Sequence, residues 1–229
     1  HVMDAVSDAM NHANLQPQTM HGVIRVAATY TVLGYFLPDL LDRFKRTYPN
    51  IELDLVDMER PLMEKALDDE SIDLGIGLLS NVQDPERYGH RILVRSRRRV
   101  WTAANHALAA KTGVRLADVF RYPYILLTVD DAEDAARRHW GPDGQHLNVA
   151  MRTSSIEALR GLVAYGFGVS VLADLVYRPW SLEGKKIVAV PILDDIATMD
   201  VGLLWPAGRK MSGPAGLFRD FLIQACDGP

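Results

Sequence analysis

From Val23 onward the chain alternates short apolar runs with segments of helical periodicity, and that alternation restricts it to the α/β architectures. Val23, Ile24, Val26 and Ala27 read as a short buried strand. Residues 32–48 follow, with apolar side chains at 33, 36, 37, 40, 41 and 44 forming one face of a helix. Pro38 must sit in a first turn or kink that helix, and Tyr48-Pro49-Asn50 stops it. Ile51, Leu53 and Leu55 alternate with acidic residues as a half-buried strand. Residues 61–68 make a second helix with proline at its start, and residues 71–77 a third, apolar strand. Strand–helix units in this order imply a parallel sheet.

The second half repeats the pattern with different spacing. Strands are predicted at 100–104, 124–127, 169–172, 187–190 and 201–205, and helices at 132–139, 155–165 and 213–225, with 148–152 leading into the second of these. Gly166-Phe167-Gly168 turns the chain into the 169 strand. The glycines allow positive φ and close backbone approach, and Phe167 reads as a packing residue or, alternatively, as the wall of a cleft. The chain thus divides into two α/β halves near Arg95, with the last helix returning to the first half. Ahead of them, Val2, Val6, Met10 and Ala13 share one helical face, and residues 14–20 read as a linker; His1-Val2 resembles a tag remnant.

Several function classes fall away on composition and motif. A net charge of −4 and a pI near 6.0 give no general field for nucleic acid. Cys226 is the one cysteine, so neither an internal disulfide nor a multi-cysteine zinc site can form, and a reducing cytoplasm fits best. No apolar run approaches the roughly 18 residues of a membrane span, and a signal peptide's basic start and apolar middle are missing. No Gly-x-Ser-x-Gly elbow or Walker loop is present, and Gly75-Ile76-Gly77 lacks the full dinucleotide spacing. His139 and His146 flank a Gly-Pro-Asp-Gly turn and read as surface residues rather than metal ligands. No cofactor or metal is expected. Arg95-Ser96-Arg97-Arg98-Arg99 is the densest charge run, better explained as an edge or crossover strand than as a nucleic-acid patch.

What remains is chemistry suited to holding a small anion. A helix N-terminus carries unpaired N–H groups and partial positive charge. Thr29-Tyr30-Thr31 joins the first strand to its helix, and Thr31 reads as the N-cap, with its hydroxyl either capping or offered to a ligand. Thr153-Ser154-Ser155 ahead of Ile156 forms a second start of the same kind. Arg60, just before Pro61, suits a bidentate pair with a carboxylate; alternatively it is a surface arginine paired with Glu59 or Asp57. Thr128 ends the 124 strand. The Asp130-Asp131-Ala132-Glu133-Asp134 run after it is a solvated helix start, or, if turned inward, a partner for the amino group of a zwitterion.

The stretch GVIRVAATYTVLGYFLPDLLDRFKRTYPNIELDLVD, with SIDLGIG and TSSIEALRGLVAYGFGVSVLAD, resembles the effector-binding domain of LysR-type transcriptional regulators, from about Gly22 to Phe221. The resemblance implies a type 2 periplasmic-binding-protein-like fold: two Rossmann-like subdomains joined by two crossover segments near 95–100 and 199–203, with a ligand between them. Residues 1–20 would be the end of a linker helix and its linker, 21–95 plus 200–229 subdomain I, and 96–199 subdomain II. It implies effector contacts from Thr29, Tyr30, Thr31, Arg60, Leu78, Thr128, Thr153, Ser154 and Ser155, with two helix N-termini forming a clamp. At the position of Arg60 the family often has a small hydroxyl residue. The family's peroxide-sensing branch needs a cysteine pair, which Cys226 alone does not supply. Implied partners are a small-molecule effector, a second copy in an antiparallel homodimer or homotetramer, and DNA through the family's N-terminal helix-turn-helix; no membrane is implied. The dimer would set the helix from Val32 and the strand from Ile51 against the partner's second half. The rivals are a transporter's solute-binding protein, and an enzyme drawing on Asp57, Glu59 or Asp130.

Overall fold

A computed structural model describes residues 20–140, 147–208 and 210–227. In chain order the first elements are β1 (Gly22–Ala28), α1 (Tyr30–Tyr35), α2 (Leu37–Thr47), β2 (Ile51–Asp57), α3 (Arg60–Asp68), β3 (Leu74–Leu78) and β4 (Tyr88–Ser96). Next come β5 (Arg98–Ala103), α4 (Leu116–Val119), β6 (Tyr124–Leu127), α5 (Ala132–Trp140), β7 (Val149–Thr153), α6 (Ile156–Ala164), β8 (Ser170–Ala173), β9 (Ile187–Pro191), β10 (Met199–Pro206) and α7 (Gly213–Cys226). The predicted helix at residues 2–13 and the turn reaching His146 lie outside the described residues.

The chain divides into two compact units, one of His1–Gly77, Asp84–Leu93 and Gly202–Pro229, the other of Leu78–Gln83 and Val94–Val201. In the first, five strands run in the order β2-β1-β3-β10-β4. β1 lies parallel to both β2 and β3, with Ala28 opposite Asp57 on one side and Ile76 on the other. All five residues of β3 are buried, as a strand with neighbours on both sides requires. Gly75 and Gly77 serve packing: a Cβ at either would stand 2.9–3.0 Å from the side chain of Met63 on α3. From α2, Phe44 meets Phe218 and Phe221 of α7 edge to ring, at 4.7 and 5.2 Å. The last helix thereby docks on the first half, each aromatic contact adding about 0.5–1.5 kcal/mol beyond area burial.

In the second unit β5 is flanked by antiparallel β8 and β9, and β6 pairs parallel with β7. Reciprocal bonds from Ile125 N to Val169 O and from Val169 N to Pro123 O, both 2.9 Å, tie β6 to the start of β8. That approach is why residue 168 is glycine, since a Cβ there would stand 2.5 Å from the Pro123 carbonyl oxygen. Val100, Leu108, Tyr124, Leu126, Trp140 and Val169 belong to one buried cluster. Arg160 of α6 is buried as well, its guanidinium over the Trp101 ring and donating to Val176 O at 3.0 Å while pairing with Glu157.

Four local readings need correction. The helix predicted over 32–48 is two helices. Pro38 can donate no N–H and would clash with the carbonyl one turn back, so the chain breaks at Phe36 (φ −117°) and restarts with Pro38 in the new first turn. The N-cap of α1 is Thr29, not Thr31. Phe167 does not pack; it is 53% exposed beside Gly166, whose φ of +81° swings the turn outward. Strand β4 and helix α4 were not foreseen. The arginine run ends β4 and opens β5, and three of its four arginines are met within the fold, Arg95 by Asp200, Arg99 by Asp174 and Arg98 by the Ala197 carbonyl.

Candidate functional site

In the first unit the strand order reverses at β1. The chain crosses from β1 to β2 on one side and returns past β1 to place β3 on the other. At such a reversal the connections diverge beyond the carboxyl ends of the strands, which is where α/β sheets take their ligands. Thr29 occupies that point, donating its N–H to Ile76 O at 3.1 Å while Met58 N donates to Ala28 O at 3.0 Å. Extended backbone (φ −77°, ψ 156°) and a carbonyl that accepts from Leu33 N make it the N-cap of α1, yet its side chain caps nothing. The Thr29 Oγ1 is buried with no hydrogen-bond partner. A hydroxyl so placed forfeits about 1–3 kcal/mol unless something supplies the bond. Tyr30 is exposed; Thr31, 4% exposed, lies inside the first turn. Leu78 is the buried last residue of β3.

Arg60 is the first residue of α3, a turn where the helix dipole disfavours a cation. Its Nη1 bonds Glu64 Oε1 at 2.8 Å, with side chains 17% and 21% exposed. Glu64 is a partner that the sequence reading did not weigh. The i,i+4 spacing to Arg60 was the available signal.

The second unit carries the same device. Its parallel strands lie in the order β7, β6, then β8, so the reversal falls at β6. Beyond the carboxyl ends, Thr128 N donates to Thr153 O at 2.9 Å. Thr153 Oγ1 accepts from Ser155 N, and Ser155 Oγ caps α6 by accepting from Ala158 N, both at 3.1 Å. Each hydroxyl, having accepted from an amide, keeps its own proton to donate, so this end of the sheet presents donors. Ser154 is exposed between them. Asp130 and Asp131 do not open α5 as a solvated helix start; both hold left-handed backbone, φ 53° and 58°. Such strain persists only where neighbours enforce it, and the buried Asn81 amide does so, donating to Asp130 O at 2.7 Å. Nothing in the sequence singled out Asn81.

Two units, each an α/β layer with reversed strand order and hydroxyls at its carboxyl ends, make a type 2 periplasmic-binding-protein-like fold, a class of small-molecule binders. The chain belongs to the family of the LysR substrate binding domain, whose profile matches residues 17–227. It is the effector-binding domain of a LysR-type regulator, which sets aside the transporter reading. It is 28% identical over 239 residues to the uncharacterized HTH-type transcriptional regulator YnfL of Escherichia coli K12, covering 98% of this chain and 75% of YnfL. Among solved structures, HinK, a LysR family transcriptional regulator from Pseudomonas aeruginosa, superposes with a TM-score of 0.79 at 24% identity, covering 98% of this chain and 76% of HinK. The Synechocystis PCC6803 CcmR regulatory domain in complex with 2-PG gives 0.77 at 20%, covering 92% and 99%. The chain spans about two thirds to three quarters of the length of the curated relatives it matches.

Proposed function

We propose that this chain is the ligand-sensing and oligomerisation portion of a non-enzymatic transcriptional regulator of the cytoplasm, built from subdomain I (21–95 plus 200–229) and subdomain II (96–199). The effector is a small anion or zwitterion, and its candidate contacts are Thr29, Tyr30, Thr31, Arg60 and Leu78 in subdomain I and Thr128, Thr153, Ser154 and Ser155 in subdomain II. The observation that carries this reading is the buried, unpartnered Thr29 hydroxyl at the strand reversal. Arg60, held at a helix N-terminus by Glu64, supplies the cation for an acid, and the acid 2-PG carried by the CcmR domain supports that class. The effector acts by linkage: preferring one arrangement of a homodimer or homotetramer, it shifts the full-length protein between states that hold DNA differently.

A thermal-shift screen over small acids and amines tests this. At a hundred times its dissociation constant an effector stabilises by about 2.7 kcal/mol. Arg60→Ala is expected to weaken acids selectively; equal shifts in both proteins would remove Arg60 from the site, and no shift with any acid or amine would refute the effector class.

A further inference from the structure

The sequence around Asp130 asks for a helix, and the chain refuses it. Glu133 and Asp134 stand in the first turn of α5, where acidic side chains suit the dipole, and Asp130 and Asp131 would extend that charge by one turn. Yet Asp130 (φ 53°, ψ 43°) and Asp131 (φ 58°) are left-handed in succession, while Thr128 before them and Ala132 after them are right-handed. Residues other than glycine enter that region singly rather than in pairs. The local preference is a helix running from Val129 into α5, and the observed chain is a kink.

Leu78–Gln83 opposes that preference. The segment continues the chain from β3 but belongs to the second unit, whereas Gly77 before it and Asp84 after it belong to the first. Leu78, Leu79, Asn81 and Val82 are buried, and Val82 N closes a short turn by donating to Leu79 O at 3.1 Å. From this anchored turn Asn81 Nδ2 donates to Asp130 O at 2.7 Å. A helix begun at Val129 would instead turn the Asp130 carbonyl along the axis toward the amide of Asp134. One carbonyl thus serves either Asn81 or the longer helix.

We propose that Asn81 is a latch on a two-state element. With its bond made, Asp130 and Asp131 form the left-handed kink; with the bond broken, α5 extends back to Val129. The element sets the position of Thr128, which is tied to Thr153 O at 2.9 Å just ahead of the kink. It thereby regulates the effector site, a consequence that rests on the proposed role of Thr128. Because Asn81 follows β3 by three residues, a small shift at the end of that strand is relayed to Asp130 and amplified by a choice between two discrete arrangements.

Hydrogen exchange at the Asp134 amide, read by NMR on the whole chain without ligand, tests the latch. That amide gains an intrahelical acceptor only if the helix reaches back to residue 130. Asn81→Ala is therefore expected to slow its exchange about tenfold, with helical i,i+3 proton contacts appearing across residues 129–134. A residue that only supported packing would speed exchange when removed. Adding Asp130→Gly to Asn81→Ala is expected to restore fast exchange, since glycine takes the left-handed backbone freely and disfavours the helix. The latch is overturned if Asp134 exchanges no slower in Asn81→Ala, or if glycine fails to reverse the change. Should Asn81→Ala not fold, Asp130→Ala in the otherwise unaltered chain decides: slower exchange supports the switch, and unchanged exchange overturns it. No effector enters these measurements, so their failure leaves the effector reading intact, and an effector screen without hits leaves the latch intact.

Discussion

Thr29 and Thr31 illustrate what a residue's neighbours in sequence withhold. Two hydroxyls flank one tyrosine, either could cap, and only the carbonyl that Leu33 N reaches makes Thr29 the cap. The glycines were more legible, because their spacing forecast both a positive φ and a close approach, and the two properties fell on different residues. Gly168→Ala drives a methyl into the Pro123 carbonyl, and an overpacked strand contact of this kind is expected to cost about 1–3 kcal/mol in urea unfolding. Gly166→Ala meets nothing within 4 Å, and its cost comes from the left-handed backbone alone, about 1 kcal/mol. His106 shows a pH effect at this scale. Burial lowers its pKa below the ordinary 6.5, and its Nδ1 accepts from Leu108 N at 3.2 Å, which requires the neutral ring. The unfolded chain therefore takes up this proton before the folded one does. The stability that depends on neutral His106 is full above the ordinary value and is lost as pH falls through it toward the folded one. Melting temperature followed across that window is expected to drop less steeply in His106→Asn.

At the scale of elements, hydrophobic period located the segments of the first half through β3, and most of those in the second. It failed where charge or proline overrides period. Strand β4 carries His90, Arg91 and Arg95 and alternates poorly between buried and exposed, because its cations are met from outside the strand, Arg91 by Asp227 and Arg95 by Asp200. The break between α1 and α2 was visible only as a choice between a first turn and a kink. Of the candidate site, the α6 start was fully legible, since Thr153, Ser155 and Ile156 form a local capping sequence. The partners of Thr29 and Thr128 were not, because strand neighbours bring together residues far apart in the chain, whereas Glu64 stands one helical turn from Arg60 and its spacing was legible. The α6 cap also gives a test: Ser155→Ala is expected to lower stability by about 1 kcal/mol in chemical unfolding, through loss of the bond from Ala158 N.

For the molecule as a whole, the proposed side-by-side pairing has to be compatible with what the surface exposes. β2 is an edge strand of its sheet, an element that proteins usually cover or charge. Its acidic residues Glu52, Asp54 and Asp57 discourage open-ended strand addition, while Val56 on the same strand is 44% exposed and Leu62 on α3 is 58% exposed. In the second unit Tyr165 and Phe167, just after α6, are 54% and 53% exposed. In the proposed antiparallel twofold pair one such patch would meet the other and the contact would occur twice, so any substitution in it would act at two places in the dimer. Val56→Lys and Phe167→Ser each alter an exposed side chain, so each protomer's own unfolding midpoint should barely move. If each substitution weakens its contact by about 1 kcal/mol, the doubled effect is about 2 kcal/mol, or roughly thirtyfold in the dimer dissociation constant. Sedimentation equilibrium is expected to show that displacement for both variants, with a weaker dimer still when they are combined. A dissociation constant unmoved by either variant would place the protomer contact on another face, while leaving the residues at the strand ends of each unit available to an effector.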